Sequence, residues 1–174
     1  RGLLPGRRRR RRPHIFTEAE IGRLMAAAAQ RRSSTGLRSL TYTTLIGLLA
    51  ATGLRPGEAL ALDTADVNLD DGLLSIRQTK FGKSRVVPVA PSTREALRQY
   101  AARRDALGVR SRSPAFLLSE RGLRVDGGTA RRMFAALSCA IGLRPVVGRR
   151  RWGRGPRLQD FRHTFATRRL VEWY

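Results

Sequence analysis

One cysteine, Cys139, stands alone among 174 residues. An internal disulfide and a thiolate metal cluster are therefore excluded, and a reducing, intracellular compartment fits. No apolar run approaches the roughly 20 residues of a membrane span, and the beginning of the chain lacks the apolar stretch of a secretory signal. A soluble, cytoplasmic protein without membrane contact is expected. Acidic residues are scarce: 13 Asp and Glu stand against 35 Lys and Arg, leaving a formal charge of +22 and a sequence pI near 11.9. Lysine is rare too, so almost all of the positive charge is arginine. Such an excess points to a polyanionic partner; the plainer alternative is a solvated basic surface from an arginine-rich coding sequence. The hydrophobic content of 41% and the length suffice for one globular domain with a real core.

Residues 1–13 combine Gly2, Pro5, Gly6 and Pro13 with the run Arg7, Arg8, Arg9, Arg10, Arg11 and Arg12. Self-repulsion should keep this stretch extended, as a basic disordered arm or linker able to track phosphates. Residues 14–174 then read as the domain. Thr17-Glu18-Ala19-Glu20 has capping-box spacing, and Ile21, Leu24, Met25 and Ala28 follow at helical intervals, predicting a helix over 17–30. Leu37 to Thr52 predicts a second, buried helix stopped by Gly53, and Pro56 opens a short third helix with Arg55 at its N-terminal edge. Strand signals cluster at 67–69, 73–78 and 84–89, separated by Asp70-Asp71-Gly72 and a turn around Phe81-Gly82, which predicts a small antiparallel meander. Ser92 and Glu95 suggest a capping box for a helix to Leu107, residues 115–119 a short strand, and Thr129 the cap of a helix ending before Gly142. The basic stretch 144–157 reads as loop. From Leu158 the helical period returns through Phe161, Phe165 and Leu170 to Trp173. Tyr42 and Tyr100 fall on apolar helix faces and read as core, whereas His14 carries no functional signal.

Two segments about a hundred residues apart, Thr-Gly-Leu-Arg-Pro-Gly-Glu at 52–58 and Leu-Gln-Asp-Phe-Arg-His-Thr-Phe-Ala-Thr at 158–167, each place an arginine near the start of a helix. A guanidinium is charged at every workable pH and offers a planar fork of donors that matches phosphate oxygens. Arg55 and Arg162 converging on one point would clamp a phosphorus centre, so phosphoryl transfer on nucleic acid is the expected chemistry. A non-catalytic basic nucleic-acid-binding protein remains the alternative from a different class.

Together with Thr-Lys-Phe-Gly-Lys-Ser-Arg-Val-Val-Pro-Val at 79–89, these segments resemble, in order and spacing, the tyrosine recombinases of the phage-integrase family, from about residue 13 to the end. The type IB topoisomerases share the chemistry, but the short hairpin turn and the Arg-His-Thr-Phe-Ala-Thr run favour integrases. The resemblance implies an α+β, mainly α catalytic domain with a small antiparallel sheet packed on helices. It implies site-specific cutting and rejoining of double-stranded DNA: a tyrosine attacks the scissile phosphate, forming a 3′-phosphotyrosyl link and freeing a 5′-hydroxyl. No metal and no cofactor takes part, and the complete protein should self-associate on DNA. Arg55 and Arg162 match the clamp arginines, Glu58 the acidic position that supports the first of them, and Lys80 the lysine that protonates the 5′-oxygen, with Lys83 as its rival. Lysine suits that step because its proton can be lost. Lys83, Arg85, Arg149, Arg150 and Arg151, with the arm, are candidate DNA-backbone contacts.

Two departures from the family pattern bear on activity. Gln159 stands where a histidine is usual; it can hydrogen-bond a phosphate oxygen but cannot relay a proton near neutral pH. His163, next to Arg162, points about 100° away along a helix and reads as a structural hydrogen-bonding residue. The family's nucleophilic tyrosine lies tens of residues beyond the second arginine, whereas this sequence stops twelve residues past Arg162. On a continuous helix Tyr174 would sit about 18 Å away, outside attack distance. The expectation is an incomplete catalytic domain, cut at both ends, that binds DNA without cleaving it.

Overall fold

Helix α1 (Glu18–Ala29) starts where its capping box dictates. The Thr17 hydroxyl accepts the Glu20 N–H at 3.1 Å, and the Glu20 carboxylate accepts the Thr17 N–H at 2.9 Å. The computed structural model describes residues 12–77, 84–147 and 151–173, with the backbone alone at 151 and 152. Helix α2 (Leu37–Thr52) is the axis of the fold: Leu37, Tyr42, Leu45, Ile46, Leu48 and Leu49 are all buried, spread around the helix rather than along one stripe. Helices α1, α4 (Pro91–Ala106) and α6 (Asp160–Glu172) pack against it. Between α2 and α4 lie the short α3 (Pro56–Ala61), opened by Pro56, and an antiparallel sheet of β1 (Val67–Asn68), β2 (Leu73–Ile76) and β3 (Arg85–Pro88) in the order β1-β2-β3. Alternation along β2 turns Leu74 and Ile76 into the core. Helix α5 (Gly127–Ala140) and a two-residue-per-strand hairpin, β4 (Val146–Val147) with β5 (Arg151–Trp152), precede α6.

The expected mainly helical domain with a small antiparallel sheet is therefore present. Details differ where local chemistry was misassigned. Helix α4 begins at Pro91, whose fixed φ suits a first helical position; Ala90 precedes it and no side chain caps it, so the Ser92/Glu95 box does not form. The cap of α5 is Asp126, which accepts the Thr129 N–H at 2.7 Å, with Thr129 the third residue of the helix rather than its cap. Residues 115–119 make isolated bridges only, Asp63 with Ala115 and Leu118 with Arg124, yet Ala115 to Leu118 are fully buried. The stretch 144–157, expected as loop, contains the β4–β5 hairpin. Leu170 and Trp173 continue the apolar period of α6 but are 59% and 85% exposed.

The core is sealed by aromatic rings from distant parts of the chain. Phe16 stacks on Phe161 with ring centroids 4.4 Å apart, and Phe134 meets both edge-on. The Phe16 backbone is held at the same place, its N–H donating to the Thr164 hydroxyl at 2.9 Å and its carbonyl accepting from Arg168 at 3.1 Å. Tyr42 and Tyr100 are buried, as their helical positions predict, and burial pushes both phenols above their usual pKa. Among the described residues no helix is long and apolar enough to cross a membrane.

Candidate active site

The site is built on the three-residue connection between α2 and α3. Gly53 ends α2 in the left-handed conformation, φ 61°, which glycine adopts without steric cost. A second constraint acts on the same residue: a Cβ there would lie 2.5 Å from the Phe165 ring of α6. Helix α6 thus crosses the connection in van der Waals contact, and this close approach places Arg162, one turn before Phe165, over it. The half-buried Arg162 donates from Nη1 to the Gly53 carbonyl at 2.9 Å. Two residues further on is Arg55, whose Cα lies within about 10 Å of that guanidinium by chain geometry. The two arginines picked out by sequence are therefore brought to one short loop.

Glu58 fixes the Arg55 side chain. Its Oε2 accepts the Arg55 N–H at 3.0 Å and its Oε1 accepts Arg55 Nη1 at 2.9 Å, so the acid closes the first turn of α3 as it pairs with the guanidinium. Arg85, at the start of β3, reaches the same carboxylate with both Nη atoms, at 3.2 Å and 2.7 Å. Arg85, considered from sequence as a DNA contact, thus directs its fork at Glu58. The Glu58 side chain is 11% exposed, whereas that of Arg55 is 51% exposed. Burial by itself would raise the Glu58 carboxyl. The hydrogen bonds from Arg85, the Arg55 N–H and the Arg55 guanidinium outweigh it and hold the pKa down to about 2.

A consequence for stability follows. The folded-state pKa lies below the unfolded value, so this carboxylate stabilises the fold above the unfolded pKa, and the contribution is lost as pH falls through the folded one. Urea unfolding of the wild type and Glu58→Gln should differ by a constant amount above about pH 5.5, with the gap closing between about pH 5 and 2. An invariant gap across that range would contradict the arrangement.

Gln159 stands at the N-cap of α6 and is half-buried, with no hydrogen bond to its side-chain amide among the described residues. It lines a cavity of about 470 Å³ together with Pro56, Gly57, Leu60, Arg131 and Arg157. The start of α6 is set by the next residue: buried Asp160 accepts the Arg157 N–H at 2.9 Å. His163, expected to make structural hydrogen bonds, is exposed and makes none among the described residues. Arg12 is exposed. Lys80, Lys83, Arg7, Arg8, Arg9, Arg10, Arg11, Arg149, Arg150 and Tyr174 lie outside the described residues, as does the side chain of Arg151. Sequence reasoning missed the Arg85–Glu58 pair and the cavity wall of Arg131 and Arg157. The first lies across 27 positions with no local signal; the second is hidden in a chain where arginine is common. Among the described residues no cluster of three or more His, Cys, Asp or Glu is placed to hold a metal ion.

This helical scaffold, with a pair of arginines at one loop, is that of integrase-type recombinases. The crystal structure of XerA recombinase superposes with a TM-score of 0.72 at 28% identity, over 97% of this chain and 54% of that one. The Tn1549 transposon integrase, solved with transposon right end DNA, has the same fold, with a TM-score of 0.71 at 17% identity, over 95% of this chain and 56% of its own. In sequence, the integrase/recombinase y4rB of Sinorhizobium fredii is 46% identical over 177 residues, which is 99% of this chain and 55% of that protein. Tyrosine recombinase XerC of Thermodesulfovibrio yellowstonii is 30% identical over 133 residues, 74% of this chain and 40% of its own length. The pattern of the phage integrase family matches residues 14–172, and the chain belongs to that family of tyrosine recombinases. It spans about half the length of the curated relatives it matches.

Proposed function

We propose that this chain is the phosphate-gripping part of a recombinase that cuts and rejoins double-stranded DNA at specific sites through a 3′-phosphotyrosyl intermediate, without metal or cofactor. The observation that carries this reading is the meeting of Arg162 with the loop that bears Arg55, whose guanidinium Glu58 holds in place. Both cations would donate to the non-bridging oxygens as negative charge develops on them. Preorganised donors of this kind supply roughly 2.7–4 kcal/mol each. Lys80 would protonate the departing 5′-oxygen. Gln159, beside the cavity, would hydrogen-bond a phosphate oxygen without relaying a proton. Residues 1–13, with Lys83, Arg149, Arg150 and Arg151, would follow the DNA backbone, and the net charge of +22 supports a polyanionic partner in the cytoplasm.

Solved recombinases of the same fold support both the partner and its assembly: XerH was crystallised on its difH substrate, and lambda integrase as a tetramer on a Holliday junction. Self-association on DNA is accordingly proposed for the complete protein.

A suicide duplex, which traps the covalent intermediate, tests the reading. This chain should bind the duplex, with affinity falling steeply as salt rises, and yield no covalent adduct; the full-length protein should yield one. An adduct with this chain that disappears in Tyr174→Phe would place the nucleophile at Tyr174. Alanine at Arg55 or Arg162 acting on binding alone, like any phosphate contact, would favour the non-catalytic reading.

A further inference from the structure

Glu58 accepts four hydrogen bonds, one from Arg55 and one from Arg85 on each carboxylate oxygen. An ionised carboxylate offers about four lone-pair sites, so the acceptor is saturated and its orientation fixed from two sides. The two arginines come from different elements. Arg55 begins α3, whereas Arg85 begins β3, where it pairs with Ile76, the last residue of β2. Next to Ile76, Arg77 pairs with the buried Asp66 of the turn before β1. Both strands at this end of the sheet are therefore anchored by an arginine to an acid on the α3–β1 side. We propose that Arg85 is a positioning residue for the phosphate clamp, acting through Glu58 to hold the Arg55 guanidinium and itself contacting no DNA phosphate.

The inference rests on the reading of Arg55 as a phosphate-binding cation. Three features separate it from ordinary surface pairing, whose contribution is small. The Arg85–Glu58 contact is a two-point fork, the strongest geometry for this pair. The acid is nearly buried although both arginines reach solvent. Hydrogen bonds from both arginines hold the Glu58 carboxyl below its usual pKa. Without Arg85, half the acceptor sites lose their donors, and the carboxylate is free to turn away from Arg55.

The experiment combines Arg85→Ala, Arg85→Lys and Glu58→Gln, singly and as Arg85→Ala with Glu58→Gln. Cleavage rates are measured on a suicide duplex with the full-length protein. Salt dependence of binding and the NMR signals of the Glu58 carboxyl and Arg55 guanidinium are measured with this chain. Arg85→Ala should slow cleavage about tenfold or more, leave the slope of log affinity against log salt unchanged, raise the Glu58 titration midpoint and broaden the Arg55 guanidinium signal. Arg85→Lys should stay slow, since an ammonium cannot reproduce the fork. In the Glu58→Gln background, Arg85→Ala should add no further loss, because the two act in series. A salt slope reduced by about one, with the Arg55 signal unchanged, would instead make Arg85 a phosphate contact and overturn the proposal. Additive losses in the double variant would overturn it too. Cleavage retained in Arg55→Ala would remove the clamp reading on which this one depends, while the NMR link between Arg85 and Arg55 would still be observed.

Discussion

On the proposed recombinase reading, Arg162→Ala should lower single-turnover cleavage by the full-length protein at least about a hundredfold while leaving most of its DNA affinity. Two losses coincide in this variant. On the proposed reading a phosphate-binding cation is removed, and each preorganised donor of this kind supplies roughly 2.7–4 kcal/mol to the transition state. The tether from α6 to the Gly53 carbonyl is removed as well, which loosens the geometry between that helix and the loop bearing Arg55. The same reading spreads binding over many arginines, so the loss of one phosphate contact should reduce the salt slope by only about one. Arg162→Lys keeps the charge but leaves one ammonium to serve both the Gly53 carbonyl and the proposed phosphate; it should remain well below wild type. Equal falls in affinity and cleavage would assign Arg162 to binding alone.

Phe161→Ala should be the most damaging single change to stability, at about 3–5 kcal/mol. That is a large share of the roughly 5–15 kcal/mol by which a domain of this kind is stable. The side chain is 0% exposed and lies between Phe16 and Phe134, so its removal leaves a void bounded by two rigid rings that cannot both collapse into it. Its chain neighbours are Asp160 and Arg162, so the start of α6 and the Arg162 contact with the Gly53 carbonyl should loosen together. Urea unfolding of this chain measures the first effect. Duplex binding followed below the melting temperature measures the second. Phe161→Leu should recover about half of the stability, and a loss under 1 kcal/mol in the alanine variant would mean that the stack is not the keystone its burial implies.

The helices were legible where local chemistry marks their ends. Thr17 with Glu20, Gly53 and Pro56 each act through groups within four residues, so the start of α1, the end of α2 and the start of α3 could be read directly. Position 126 shows the limit of that approach: Thr129 reads as the cap from sequence, whereas Asp126 leads the helix and accepts the Thr129 N–H. The β4–β5 hairpin escaped because two-residue strands carry no alternation to detect. At the site, Arg55, Glu58 and Arg162 were visible through their motifs. Their mutual placement was not, because it depends on Phe165 lying against Gly53 and on Arg85 of β3 reaching Glu58 of α3. These are contacts between residues far apart in the chain, and periodicity is silent about them.

Phe16 donates its N–H to Thr164, 148 positions later, and stacks on Phe161 of the same helix. Closing so long a loop is slow and brings no reward until the final pairing is made. On the ribosome, Phe16 must wait for residues 161–164 to emerge before this packing is complete. A nascent molecule would carry many of its arginines long before α6 could bring Arg162 to the Gly53 carbonyl beside Arg55, so this junction would form late.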